Sequence, residues 1–357
     1  MNKLFLFTSF IILLILGSSN SFAQTEKLTF YGNFRLAHIG SDTEPDGIGG
    51  PNTLLRLRPG VKYLFNENHS FSARLVYLVS KELEPINFTV KADGNGALAF
   101  GSMSFDEFYY QYNNSDFQLK LGRFQNNISV LSNARRSHLR FQSNASFVHW
   151  TDGIYAKKYL DAEWYAETVF EYQHQGDLSY PYTFPLTFGN NEHSVVSYLG
   201  IENRTRDSKN IIQKGFGLMF IPDAYLKVDG FSYYLVLDSR IAIDIPKKDL
   251  LNGGSFRIAG ELGQNINTEI KNGTSAVLSF GINNFAEKHE FMVELAKTGS
   301  QWLTGTSYSA NTDDIEFRYR YFILPHFNID VRYRIRESRN DFIPTNYSTF
   351  FRATYSL

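Results

Sequence analysis

Arginine recurs at every second position in several short stretches of this chain. Arg56-Leu57-Arg58, Arg318-Tyr319-Arg320 and Arg332-Tyr333-Arg334-Ile335-Arg336 are the densest, and Arg35, Arg74 and Arg352 stand in similar alternating surroundings. Guanidinium stays charged at any physiological pH, and its planar fork of donors grips carboxylate or phosphate through two parallel hydrogen bonds. A spacing of two places such groups on one face of an extended strand, because successive side chains point to opposite sides. The chemistry on offer is anion recognition by a charged β surface. Catalysis is poorly provided for. The eight histidines form no His-x-x-x-His pair, no Gly-x-Ser-x-Gly turn or P-loop is present, and His149 and His289 have no fixed serine partner for lipid hydrolysis. The reading is no enzyme, no cofactor and no metal.

The segments around these arginines alternate throughout. Phe30 to Leu36, Phe71 to Tyr77, Phe117 to Leu121, Ile315 to Tyr321 and Ile329 to Ile335 each carry an aliphatic or aromatic face and a polar one. Sixteen strands are predicted, at 28–39, 53–64, 69–80, 103–113, 116–124, 146–157, 161–173, 193–204, 213–221, 231–245, 254–265, 275–285, 288–297, 314–323, 326–336 and 347–357. Most have the ~9–11 residues that a tilted strand needs to cross a bilayer. Connectors alternate in length. Those at 40–52, 81–102, 125–145, 174–192 and 298–313 are long, whereas Asn66-Glu67-Asn68, Asn114-Ser115 and Leu324-Pro325 are tight. A soluble sandwich has no reason to sort its loops by parity. A closed transmembrane antiparallel β-barrel does, with short periplasmic turns and long external loops. The expected fold is therefore all-β, one barrel spanning 24–357, with aromatic girdles at Tyr63, Phe65, Phe108 to Tyr112, Trp164, Tyr172, Phe351 and Tyr355.

Composition narrows the alternatives. The chain has 357 residues, no cysteine, 16% aromatic residues and a formal net charge of −1. Disulfide scaffolds and cysteine-ligated metals are excluded, and near-neutral charge gives no footprint for nucleic acid. No later apolar run approaches the length of a membrane helix. At the N-terminus, Met1-Asn2-Lys3, an apolar run from Leu4 to Leu16 and Ser21-Phe22-Ala23 read as a signal peptide, residues 1–23, cleaved after Ala23.

With the apolar set facing lipid, the other set faces inward. Arg35, Arg56, Arg58, Arg74, Arg318, Arg332, Arg334 and Arg352, with Arg320 and Arg336, then fall on six contiguous strands if the last strand pairs with the first. The inward acids, among them Glu107, Glu167, Asp238, Glu261 and Glu294, lie mostly on other strands. Two walls of opposite charge would set a transverse field across a water-filled lumen. The alternative is mutual pairing, with Glu316 and Asp330 as partners of neighbouring arginines. The third long connector holds Arg135, Arg136, His138 and Arg140 and no acid. It is either a basic constriction or an external loop that binds anionic lipopolysaccharide. Tyr180, Tyr182, Phe184 and Phe188 in the fourth either stack sugars or pack the loop.

These features resemble the sixteen-stranded porins of Gram-negative outer membranes, of the general-diffusion and the anion- or phosphate-selective types. The hairpin Phe105 to Tyr112 followed by Phe117-Gln118-Leu119-Lys120-Leu121-Gly122-Arg123-Phe124 is similar to the porin hairpin before the constriction loop. The terminal strand, with Tyr355 third from the end, is similar to the signal read by the barrel assembly machinery. The chain departs from the family in ending at Leu357 and in lacking a Pro-Glu-Phe-Gly-Gly-like segment in 125–145. The resemblance implies an outer-membrane pore for passive diffusion of small hydrophilic solutes, with anion preference, surrounded by outer-membrane lipid and lipopolysaccharide. It admits a homotrimer. A substrate-specific binding channel and a closed-barrel receptor or adhesin are the alternatives.

Overall fold

A strand with one apolar and one polar face must pair its backbone on both sides before it can sit in a membrane. The computed structural model describes residues 27–41, 53–80, 87–88, 102–125, 151–174, 193–203, 210–227, 230–247, 251–302, 310–340 and 342–357, and they satisfy this demand around a full circle. The strands are β1 (Leu28–Ser41), β2 (Thr53–Leu64), β3 (His69–Ser80), β5 (Ser102–Asn113), β6 (Phe117–Phe124), β7 (Thr151–Tyr159), β8 (Trp164–His174) and β9 (His193–Asn203). They continue with β10 (Ile211–Lys227), β11 (Gly230–Pro246), β12 (Ser255–Asn265), β13 (Thr274–Phe285), β14 (His289–Thr298), β15 (Thr312–Leu324), β16 (Phe327–Ser338) and β17 (Asn346–Ser356). A two-residue β4 (Asn87–Phe88) lies parallel to β5. Every other pairing is antiparallel, and β17 closes on β1 from Asn33↔Ser356 to Ser41↔Ser348. The result is a closed sixteen-stranded barrel with no sheet edge.

Most strand limits agree with the sequence within a few residues. One pair does not. The expected strands 213–221 and 231–245 are in fact seventeen residues each, and their pairing runs out to Lys227↔Gly230. Pro222 lies just past the limit expected for the first of them. Here the register shifts between Ile221 and Tyr225, so the proline occupies an irregularity where no ladder donor is needed. The strand expected at 146–157 is described from Thr151. The predicted signal peptide and the segment 126–150 lie outside the described residues.

The tight connectors gather at one end, and their side chains explain why. Asn66 Oδ1 accepts from the amides of Asn68 and His69, Asn114 Oδ1 from those of Asp116 and Phe117, and Asp161 Oδ1 from those of Glu163 and Trp164. An Asx side chain that mimics a backbone carbonyl closes each turn in a few residues. The two amides hold the Asp161 carboxyl below its usual range. That turn is therefore tightest above the ordinary carboxylate pKa and slackens as pH falls through the lowered one.

The two faces of the wall are inverted relative to a water-soluble protein. Outside, Leu199, Phe216, Leu237, Leu262, Leu295, Phe317 and Val331 are exposed; inside, Arg56, Arg58, Glu167, Asp238, Glu294, Glu316 and Arg318 are buried. An apolar outer belt around a charged interior suits a hydrocarbon surround. Tyr63, Phe65, Tyr112, His289, Tyr319 and Tyr321 ring the outer rim at the tight-turn end, with His289 stacked on Tyr321 at 4.8 Å.

The Leu-x-Leu-Gly-Arg strand has a structural cause. Gly122 in β6 has φ +119°, and a Cβ there would lie 2.5 Å from the Phe108 carbonyl oxygen. Gly122→Ala is expected to destabilise the barrel by about 1–3 kcal/mol, read as a lower urea midpoint of the refolded protein. An unchanged midpoint would mean that β5 and β6 are not this close.

Candidate functional site: the charged inner wall

A β-bulge builds the first cluster. Arg74 pairs with Glu107 and Leu75 with Phe105, which leaves Asp106 as the extra residue of β5. The bulge turns two successive carboxylates into the barrel, where strict alternation would expel one of them. Arg74 bonds to Asp106 (3.0 and 2.9 Å) and pairs with Glu107 (2.8 Å), and Arg58 pairs with Asp106 (3.0 Å). Tyr31 Oη donates to Glu107 at 2.6 Å.

The second cluster spans β14 to β17. Cross-strand register sets Glu316 between Glu294 and Arg334, with Arg318 and Arg332 opposite one another at the next inward position. Glu316 accepts from Arg334 Nε (2.6 Å), pairs with Arg332 (3.3 Å) and contacts Arg318, which also reaches Glu294 (3.3 Å). Ser279 Oγ donates to Glu294 (3.0 Å). Arg336 pairs with Asp314 (2.8 Å), Arg320 with Asp330 (3.1 Å) and Glu290 (3.4 Å), and Arg352 with Asp330. Phe350 lies under both Arg332 and Arg352, with ring centroids 4.8 and 5.7 Å from the guanidinium carbons.

Between the clusters, at the β17–β1–β2 seam, the balance tips positive. Arg35 and Arg56 face each other across β1 and β2, and Arg35 Nε donates to Thr354 Oγ1 (3.3 Å). Arg56 is buried, donates to Asn33 Oδ1 (3.4 Å), and has Arg35, Arg58 and Arg352 among its charged neighbours, together with Asp106. Among the described residues its Nε has no hydrogen-bond partner.

The expected arc of arginines is thus assembled, but the expected separation of charge is only partial. Glu107 and Glu294 do not form an opposing wall; they are partners of Arg74 and Arg318. Glu171 and Glu202 are buried on the opposing strands, as are Glu167 and Asp238. Register places the latter two in one row across five strands, Glu167↔Gly200↔Gly217↔Asp238↔Gly263. The glycines make room for rings laid against the wall. A Cβ on Gly217 would meet the Tyr198 ring at 2.8 Å, and one on Gly263 the Trp302 ring at 2.5 Å. Lys120 adds an aromatic cage, 5.2 Å from the Tyr109 ring centre, 5.6 Å from Tyr155 and 6.0 Å from Phe124.

Reading by alternation missed Asp106, because a bulge leaves no mark in the period. It also missed Arg240 and Arg257, which pair with Glu261 (2.8 Å) and Asp244. Both sit inward on strands whose arginines were sparse enough to pass as incidental. Arg135, Arg136, His138 and Arg140 lie outside the described residues. Among the described residues, no group of His, Asp and Glu is placed to hold a metal ion.

No family model and no curated protein matches the sequence. Solved structures do. OprB of Pseudomonas putida is similar with a TM-score of 0.60 at 9% identity, over 93% of this chain and 94% of that one. OccK9 (OpdG) of Pseudomonas aeruginosa follows with 0.56 at 11%, over 93% and 98%. A mutant of the Rhodopseudomonas blastica porin gives 0.53 at 10%, over 92% and 100%. The chain has the bacterial porin fold. That fold is shared with these structures at only 9–11% sequence identity. The charged inner wall must be argued from this chain's own residues.

Proposed function

We propose that the protein is an outer-membrane channel, exported by its signal peptide, that passes small hydrophilic solutes and favours anions. The porin fold and the inverted faces support the channel. The anion preference is argued from Arg56, a buried guanidinium that faces Arg35 across β1 and β2 and has Arg58, Arg352 and Asp106 among its charged neighbours. Such a site lowers its energy by drawing a mobile anion from the lumen, and it raises the local anion concentration over a screening length of ~8–10 Å. Arg35, Arg332 and Arg352 extend the same positive seam, and Arg135, Arg136 and Arg140 are proposed to add to it from their connector. Outer-membrane lipid, lipopolysaccharide, the barrel assembly machinery and a trimeric partner belong to the same proposal, as does the lack of catalysis.

Reversal potential in a salt gradient tests the preference. Chloride is expected to be favoured over potassium, most strongly at low salt, and the preference is expected to fall in Arg56→Ser with Arg332→Ser. It is expected to fall separately when Arg135, Arg136 and Arg140 become Ser. A wild-type channel that prefers potassium at low salt would refute the role of the seam and leave the barrel untouched. The near-zero exposure of Glu202, Asp238 and Glu316 favours a second reading, a tightly filled barrel acting as a specific channel or receptor. Saturable block of the current by one solute, or no current at all, would favour it.

A further inference from the structure

One stretch of the inner wall is apolar. On β8 to β11, toward the long-connector end, Val169, Val196, Met219, Ile221, Tyr234 and Val236 all point inward and are all buried. Left bare, that stripe would face the lumen. Two connectors cover it. Ile270 from the β12–β13 connector and Trp302 from the β14–β15 connector join the cluster, and Trp302 is only 1% exposed.

The cover is built. Gly263 provides a seat in which a side chain would collide with the indole, and the Tyr234 ring meets Trp302 edge-on at 6.3 Å. Tyr234 Oη donates to the Gln301 carbonyl (3.2 Å). Gln301 then ties the two connectors together. Its amide donates to the Asn272 carbonyl (3.1 Å), and its Oε1 accepts from the amides of Lys271 (2.9 Å) and Asn272 (3.2 Å). Asn267 Nδ2 donates to the Tyr233 carbonyl (2.7 Å), anchoring the other connector to β11. Apolar contact, ring stacking and backbone hydrogen bonds all hold the same turn against the same wall.

We infer that Trp302 sets the bore of this barrel: it pins the 266–273 and 299–302 turns to the inside of β8–β12 as a fixed shelf, so that solutes pass between the shelf and the arginine seam. Trp302 is a positioning residue, and the shelf is a size filter. The inference rests on the channel reading above and deepens it by assigning the residue that limits solute size. An indole seated on a glycine is irreplaceable by a small side chain, which would leave the notch at Gly263 unfilled.

The test compares wild type, Trp302→Ala and Trp302→Phe as refolded barrels, each checked for heat-modifiable gel mobility. The readouts are single-channel conductance and liposome swelling with neutral sugars of increasing size. Trp302→Ala is expected to raise conductance and shift the size cut-off upward, and Trp302→Phe to restore most of both. Unchanged conductance and cut-off in a folded Trp302→Ala barrel would overturn the inference while leaving the channel reading in place. A silent wild type with a conducting Trp302→Ala would support the shelf and refute the open-pore reading. Silence of both would overturn both, since removing the pin must widen the passage. If Trp302→Ala does not fold, Gln301→Ala removes the two side-chain bonds to the Lys271 and Asn272 amides while the backbone bonds and the seated indole remain; a smaller upward shift is expected, and its absence counts against the shelf.

Discussion

Glu316→Ala is expected to cost the barrel about 3–5 kcal/mol, the range seen when one partner of a buried ion pair is removed. Glu316 is 0% exposed and is the shared counter-ion of Arg318, Arg332 and Arg334. Arg318 keeps Glu294 when it is lost. Arg332 and Arg334, neighbours on the inward face of β16, lose the carboxylate they share, and Phe350 lies beneath Arg332. The measurement is the urea midpoint of barrels refolded into liposomes, followed by gel mobility. Adding Arg332→Met and Arg334→Met should recover most of the loss, because an apolar patch is cheaper than buried guanidiniums that have lost a shared carboxylate. A loss below ~1 kcal/mol would mean that lumen water screens this cluster as it screens a surface pair.

Val331→Arg should cost about 2–4 kcal/mol if the belt around β16 contacts hydrocarbon near the bilayer midplane. Val331 points outward and is 43% exposed, next to outward Tyr333. Asn328→Arg, three residues earlier on the inward face, places the same charge in the polar interior and should be tolerated. Membrane assembly of the two variants, scored by protease protection and folded mobility, separates them. Equal damage would mean that the strand is slipped by one residue, which exchanges the two faces.

The architecture was legible because a membrane barrel imposes one rule on every strand. Alternation in Ile329 to Ile335 or Phe71 to Tyr77 determines both the element and its facing, and the Asx turns at Asn66, Asn114 and Asp161 mark one end. What escaped breaks that rule locally. Asp106 faces inward through a bulge, so a second acid appears where period two allows one. The β10–β11 ladder resumes beyond Pro222, past the limit expected for β10. Val196, Met219 and Val236 are apolar and inward, and no alternation can say so, because the residues that justify them come from connectors far away in sequence. Trp302 is one of those residues. Its role is set by Gly263 and Tyr234, and nothing in the local sequence around it carries that information. The pairing of Glu107 with Arg74, and of Glu294 with Arg318, depends on which strands are neighbours, which is a property of the closed circle.

The closure of β17 on β1 also governs how the molecule must be made. Arg35 and Thr354, joined by a side-chain hydrogen bond of 3.3 Å, are 319 residues apart in sequence. Loop entropy alone is not the obstacle, because the cost of bringing chain ends together rises by only ~0.6 kcal/mol for each doubling of length. The obstacle is that until this seam forms, β1 and β17 each present a full row of unpaired amides and carbonyls, ready to template a foreign strand. Every intermediate short of the complete circle is therefore aggregation-prone, and a chain that lacks Asn346–Ser356 should accumulate in that condition. The β1–β17 seam can form only once the first and last strands of the barrel are both in place, and it is the pairing that removes the last two open edges of an otherwise complete sheet.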